Sequence, residues 1–190
     1  GLTIGKKSLR TIALEEFAML VLKHGGFVEN TEGDSAYANF GLSDRTLRPC
    51  DAALAVANEF RAALKGITRH HQQKIECGIG LHFAPQCEAN ISEYNVSTPQ
   101  GVIVQKRFFT SSSDIDLVHR IEKHVHQIPG SNIIYAKEFS DRLSIRPDLP
   151  VYPIGWHLFK GQKKEVELFL IKSSIAAETD LQHVMPGRVA

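Results

Sequence analysis

The sequence predicts an α+β domain, a mixed and mostly antiparallel sheet with helices packed on it. Three observations carry that expectation. Helical periodicities and strand-like runs alternate along the chain. The strands fall into hairpins rather than into a strict strand-helix-strand repeat. At 190 residues, the chain is long enough to bury one substantial core and short for two. The domain is expected over residues 1–172, with 173–190 as a tail that is mobile or binds a partner.

Leu9, Ile12, Ala13, Phe17, Leu20 and Val21 recur at helical spacing, and Gly25-Gly26 supplies a stop where positive φ is cheap, so a first helix ends near His24. Residues 27–32 and 36–40 are short strands around Gly33-Asp34, a hairpin turn signal. Asp51 is the expected N-cap of a helix through Lys65, with Ala53, Ala57, Phe60 and Leu64 on one face. Residues 74–83 read as a strand, 85–100 as a loop or hairpin arm, and 102–109 as a further strand. Ile115, Val118, Ile121 and Val125 mark a third helix that stops before Pro129-Gly130. A strand at 132–135 leads into a short helical segment at 137–143. Pro147, Pro150 and Pro153 then stiffen the approach to a final hairpin over 155–171.

Composition excludes several function classes. The 22 basic and 21 acidic side chains are spread along the chain, with no basic excess to compete for nucleic-acid phosphates. Cys50, Cys77 and Cys87 are odd in number and widely spaced, which suits reduced thiols of a cytoplasmic protein better than a disulfide scaffold. No apolar run reaches membrane-spanning length, and residues 1–24 lack the order of a signal peptide. His119, His124 and His126 do not share a helix face, so they read as surface residues rather than zinc ligands.

Three segments together resemble the class III nucleotidyl cyclases: Gly25-Gly26 through Gly33-Asp34, Ile115-Asp116 through Arg120, and Gly155 through Lys160-Gly161 with the strand that follows to Ile171. The resemblance covers roughly residues 9–171 and is that of a divergent member. It implies a ferredoxin-like core with extra strands. The implied activity is conversion of a nucleoside triphosphate to a cyclic 3',5'-nucleotide and pyrophosphate with Mg2+ or Mn2+. The implied assembly is a head-to-tail homodimer whose sites are shared between subunits. Asp34 and Asn30 of one chain would then face Asp116, Arg120 and Phe109 of the other.

Asp34 matches one of the family's two metal-binding aspartates, and a carboxylate at a tight turn suits a hard divalent ion. The second aspartate belongs to an opening strand of pattern Asp-Ile-x-Gly-x-Ser/Thr. Gly1-Leu2-Thr3 matches only the tail of that pattern. Asp116 and Arg120 fall on the Val-Asn-x-x-x-Arg motif, aspartate replacing asparagine, and their spacing of four puts them on one helix face. There Arg120 is aimed at the reacting phosphate; the plain alternative is an exposed ion pair with Asp116. Lys160 matches the lysine that contacts the triphosphate.

At the base-reading positions stand Asn30 and Phe109, with Thr110 adjacent. Phe109 stacks on a base but cannot bond its edge. The adenine pattern is therefore absent, leaving guanine or a pyrimidine, as in the bacterial pyrimidine cyclases of antiphage defence. The alternative function is a pseudo-cyclase, a dimerising or nucleotide-sensing module without turnover. The incomplete opening motif, Asp116 and Asn30 are the residues that favour it.

Overall fold

The computed structural model describes residues 7–32, 35–42, 46–99 and 101–172. Helix α1, Leu9–Lys23, starts where the Ser8 hydroxyl accepts the Thr11 N–H at 3.1 Å, and stops at Gly25 with φ +75°. Strands β1, Phe27–Glu32, and β2, Ser35–Asn39, pair antiparallel with an irregularity between Val28 and Asn30. Helix α2, Pro49–His71, is longer at both ends than its apolar spacing predicts. Its first position is proline, which loses nothing there because that N–H has no intrahelical partner. Asp51 is thus not the N-cap. It lies in the first turn, where one carboxylate oxygen accepts the Ser144 N–H at 2.8 Å.

Strand β3 is only Ile79–Leu81, because β6 offers just Ile133 to Tyr135 as its ladder partner. The segment read as a loop or arm is an arm: β4, Glu88–Thr98, pairs along its whole length with β5, Gly101–Ser111. Helix α3, Ser113–Val125, β6, Ile133–Ala136, and the single turn α4, Lys137–Ser140, follow. Strands β7, Val151–His157, and β8, Val166–Ile171, close the fold. Pro153 lies inside β7, which is tolerable because β7 is an edge strand and its register shifts between Pro153 and Gly155.

The central sheet has the order β3-β6-β8-β7, with β3 and β6 parallel and the other pairs antiparallel. Strand β6 is buried on both faces, and its alternation divides the core. Ile133 and Tyr135 point to α2, where they meet Cys50, Ala53, Leu54 and Ala57. Ile134 and Ala136 point to α3, where Leu117, Ile121 and Val125 pack with Ile154, Leu168 and Leu170. Each fully buried Ile or Leu contributes about 1.5–3 kcal/mol by removal from water. Helix α1 lies on α2 rather than on this sheet, through Val21, Val56, Phe60 and Leu64.

Helix α3 rests directly on β3. A Cβ at Gly80 would stand 2.7 Å from the Glu122 backbone nitrogen, so glycine at this position lets strand and helix backbones touch. That contact fixes the height of α3 over the sheet, and α3 carries two of the candidate site residues.

Candidate active site

Helix α3 begins at Ser112, whose hydroxyl accepts the Asp114 N–H at 3.1 Å. Leu117, Ile121 and Val125 form its buried stripe, and Asp116 and Arg120 each stand one position before a member of that stripe. Asp116 is exposed and Arg120 half-buried. The i,i+4 ion pairs of these helices are Glu122 with His126 and Lys137 with Asp141. Asp116 and Arg120 do not form one, so the guanidinium is uncommitted among the described residues.

Lys160 is exposed in the turn from β7 to β8, which the Gln162 N–H closes onto the Phe159 carbonyl at 3.0 Å. Gly161 follows at φ +85°, a conformation that favours glycine. This turn is bound to α3 by rings. His124 lies 4.6 Å from His157 and 6.4 Å from Phe159, centroid to centroid. Arg120 stands one helical turn before His124 on the same face, so the fold brings the Arg120 and Lys160 segments to one side of the sheet. His119 and His126 are exposed as expected, whereas His124 is half-buried because the β7–β8 turn covers it.

The base-reading positions lie beside a tie within one chain. The Glu29 carboxylate accepts the Thr110 N–H at 2.7 Å, the Thr110 hydroxyl at 2.5 Å and the Asn39 amide at 2.6 Å. Asn39 in turn accepts the Tyr37 hydroxyl at 2.7 Å. Burial pushes the Tyr37 phenol up to about 12, so it remains a neutral donor. Thr110 is buried and its donors are spent on Glu29. Phe109 is half-buried next to it, and the Asn30 backbone follows Glu29 in β1. The β1 and β5 positions are therefore neighbours in one protomer. The Asn30 side chain, and Asp34 altogether, lie outside the described residues.

Two residues that the sequence reading missed help to place α3. His82, at the end of β3, has a side chain only 6% exposed and donates to Asp114 at 3.1 Å, fastening the first turn of the helix. Glu29 is the other. Its signal was a carboxylate one position from Asn30, visible only once the irregularity in β1 turned it toward β5. A cleft of about 380 Å³ between β2, the start of α2 and α3 is walled mainly by Phe40, Leu42, Leu81, Phe83 and Val118, with Asp114 at its edge.

No group of three or more His, Cys, Asp or Glu side chains among the described residues forms a metal site, and those residues do not by themselves fit a divalent ion. Nor is any described helix long and apolar enough to cross a membrane.

Solved structures with the same chain path are catalytic domains of nucleotidyl cyclases. The adenylyl cyclase CyaB from P. aeruginosa superposes with a TM-score of 0.66 at 17% identity, over 90% of this chain and 83% of that one. The guanylyl cyclase Cya2 gives 0.64 at 19% identity, over 86% and 78%. The chain has the class III nucleotidyl cyclase fold. The guanylate cyclase domain of RhGC from Catenaria anguillulae, solved in complex with GTP, is also similar, with a TM-score of 0.63 at 14% identity over 85% of this chain and 80% of that one. No family model matches the sequence, and no curated protein matches it. The likeness to the cyclases is thus one of fold at low identity, as for a divergent member.

Proposed function

We propose that this chain is a nucleotidyl cyclase that converts a nucleoside triphosphate to a cyclic 3',5'-nucleotide and pyrophosphate, working as a homodimer with shared sites. The observation that carries the reading is Arg120. On a cyclase fold it stands at the motif position, on the helix face that turns toward the Lys160 loop, and it is not spent on Asp116. An unpaired guanidinium is available to a phosphate, whereas a paired one would first have to break its ion pair.

In this reading Lys160 holds the terminal phosphates of the substrate. Arg120 takes up the charge that builds on the α-phosphate as the ribose 3'-hydroxyl attacks and pyrophosphate leaves. Asp116, exposed and without a cation partner among the described residues, lies toward the ribose; close to phosphates a carboxylate needs Arg120 to offset its charge. Phe109 offers a ring to stack on the base, and Asn30 is the residue left to bond its edge, because Thr110 is committed to Glu29. That combination supports guanine or a pyrimidine over adenine. Magnesium or manganese at Asp34 belongs to the proposal and would neutralise phosphate charge.

The test is incubation of the protein with ATP, GTP, CTP and UTP in the presence of manganese, with mass spectrometry for cyclic products. A cyclic nucleotide that disappears in Asp34→Ala and Arg120→Ala establishes the activity and its base. No product from any of the four, with the protein folded and dimeric, sinks the enzyme and leaves the pseudo-cyclase.

A further inference from the structure

Lys160 has little of its own to hold it in place. Its turn is closed by one backbone hydrogen bond, and both Leu158 and Lys160 are exposed. The turn meets α3 through the rings of His157 and Phe159, which lie 6.3 Å apart and pack around His124, and Phe159 also packs against the core cluster that includes Leu117, Ile121 and Val125. His157 Nε2–H donates to the Ile154 carbonyl at 3.0 Å, which fixes that ring within β7. The cluster therefore lies one helical turn along α3 from Arg120 and one residue along the chain from Lys160, the two candidate phosphate-binding cations. We propose that His124, His157 and Phe159 are positioning residues that hold the Lys160 turn on α3, and that this clamp works only while the His124 imidazole is neutral. The inference deepens the cyclase reading and rests on it for its consequence in substrate binding.

The chemistry of the cluster requires neutrality. Three other histidines of the fold meet a carboxylate that would stabilise a charged ring: His24 with Glu59, His82 with Asp114 and His126 with Glu122. His124 meets none of these. Its Nε2 is buried without a hydrogen-bond partner, and the titratable group facing it from β7 is His157. Burial pushes the His124 pKa down, and His157 adds to that shift. Protonation of His124 would place a cation in a ring-lined site that no carboxylate among the described residues faces. The imidazolium is then relieved by opening the turn to water, which carries Lys160 away from Arg120.

Hydrogen exchange of the full chain tests the clamp without reference to catalysis. The Gln162 amide, whose bond closes the turn, is followed between pH 7.5 and 5.5, with protection corrected for the intrinsic pH dependence of exchange. In the parent, protection should fall severalfold, up to about tenfold, over that range, whereas in His124→Phe, which keeps a ring and cannot titrate, it should change less than about twofold. Identical profiles in the two proteins overturn the proposal. If His124→Phe does not fold, His124→Gln serves in its place with the same two outcomes. Cyclic nucleotide formation is read in parallel. The parent KM for the triphosphate should rise below pH 6.5 more steeply than that of the variant, and equal KM profiles overturn the clamp's role in substrate binding. If no cyclic product forms while protection still falls with acid, the cyclase reading fails and the clamp stands.

Discussion

Arg120 and Glu29 show how differently two charged side chains are used in one fold. Arg120 is half-buried and has no ion pair among the described residues, so in the proposed reading its cost is recovered when a phosphate arrives. Arg120→Ala should lower kcat by about 10²–10³-fold while KM changes little, because the charge it meets is greatest in the transition state. Steady-state kinetics of cyclic nucleotide formation decides this, and an unchanged rate removes Arg120 from the mechanism. Glu29 is fully spent within the protein, on Thr110 and Asn39. Glu29→Ala would leave the buried Thr110 donors without an acceptor and should cost about 1–3 kcal/mol, read as a lower urea midpoint. Of these two residues, only Arg120 stood out in the sequence, through its spacing from Asp116, and its role is the one proposed above. The bonds of Glu29 and Thr110 join residues far apart in sequence, and no local pattern announces them.

At the scale of elements, α3 is the piece on which the candidate site depends. It is fastened at its start by His82 to Asp114, at its middle by the close approach of Gly80, and near its end by the ring cluster. Gly80→Ala forces a methyl group against the helix backbone at 2.7 Å. Overpacking of that kind costs about 1–3 kcal/mol, and it should also reduce activity by lifting Arg120; a parental urea midpoint would show that the helix yields without strain. The depressed pKa of His124 sets a pH dependence whose sign follows from linkage. Between the lowered folded pKa and the ordinary value near 6.5, the unfolded chain binds a proton that the folded chain does not. Stability from this group is therefore complete above about pH 6.5 and declines as the pH falls toward the folded value. Thermal midpoints from pH 8 to 5.5 should fall less in His124→Phe than in the parent.

For the whole molecule, the testable feature is the sharing of sites. If Asp34 of one subunit serves the Arg120 of its partner, mixing Asp34→Ala with Arg120→Ala subunits restores one intact site per mixed dimer. A one-to-one mixture of freely exchanging subunits should then recover about a quarter of parental activity, although each variant alone is inactive. No recovery, with exchange verified, would place both residues in the site of a single chain. The tie from β1 to β5 already lies within one chain, so the base-reading residues are expected to act from the same protomer even where the phosphate chemistry is shared.

The sequence determined the fold class of this protein. Helical periodicity located α1 and α3, the Gly25-Gly26 stop and the Gly33-Asp34 signal located the first hairpin, and three short segments, around Gly33-Asp34, Asp116 to Arg120 and Lys160-Gly161, carried the resemblance to the cyclase fold, because each of these is a local relation between near neighbours. Only the tertiary structure decided which side chains remain free for a substrate. Whether Arg120 is paired, whether Thr110 is already bonded and whether His124 lies under the Lys160 turn depend on contacts between distant segments, set by the packing of α3 on the sheet. The start of α2 was misjudged for the same reason: Asp51, a good N-cap by composition, was drawn off by the Ser144 N–H, which lies far along the chain and close only in the folded state.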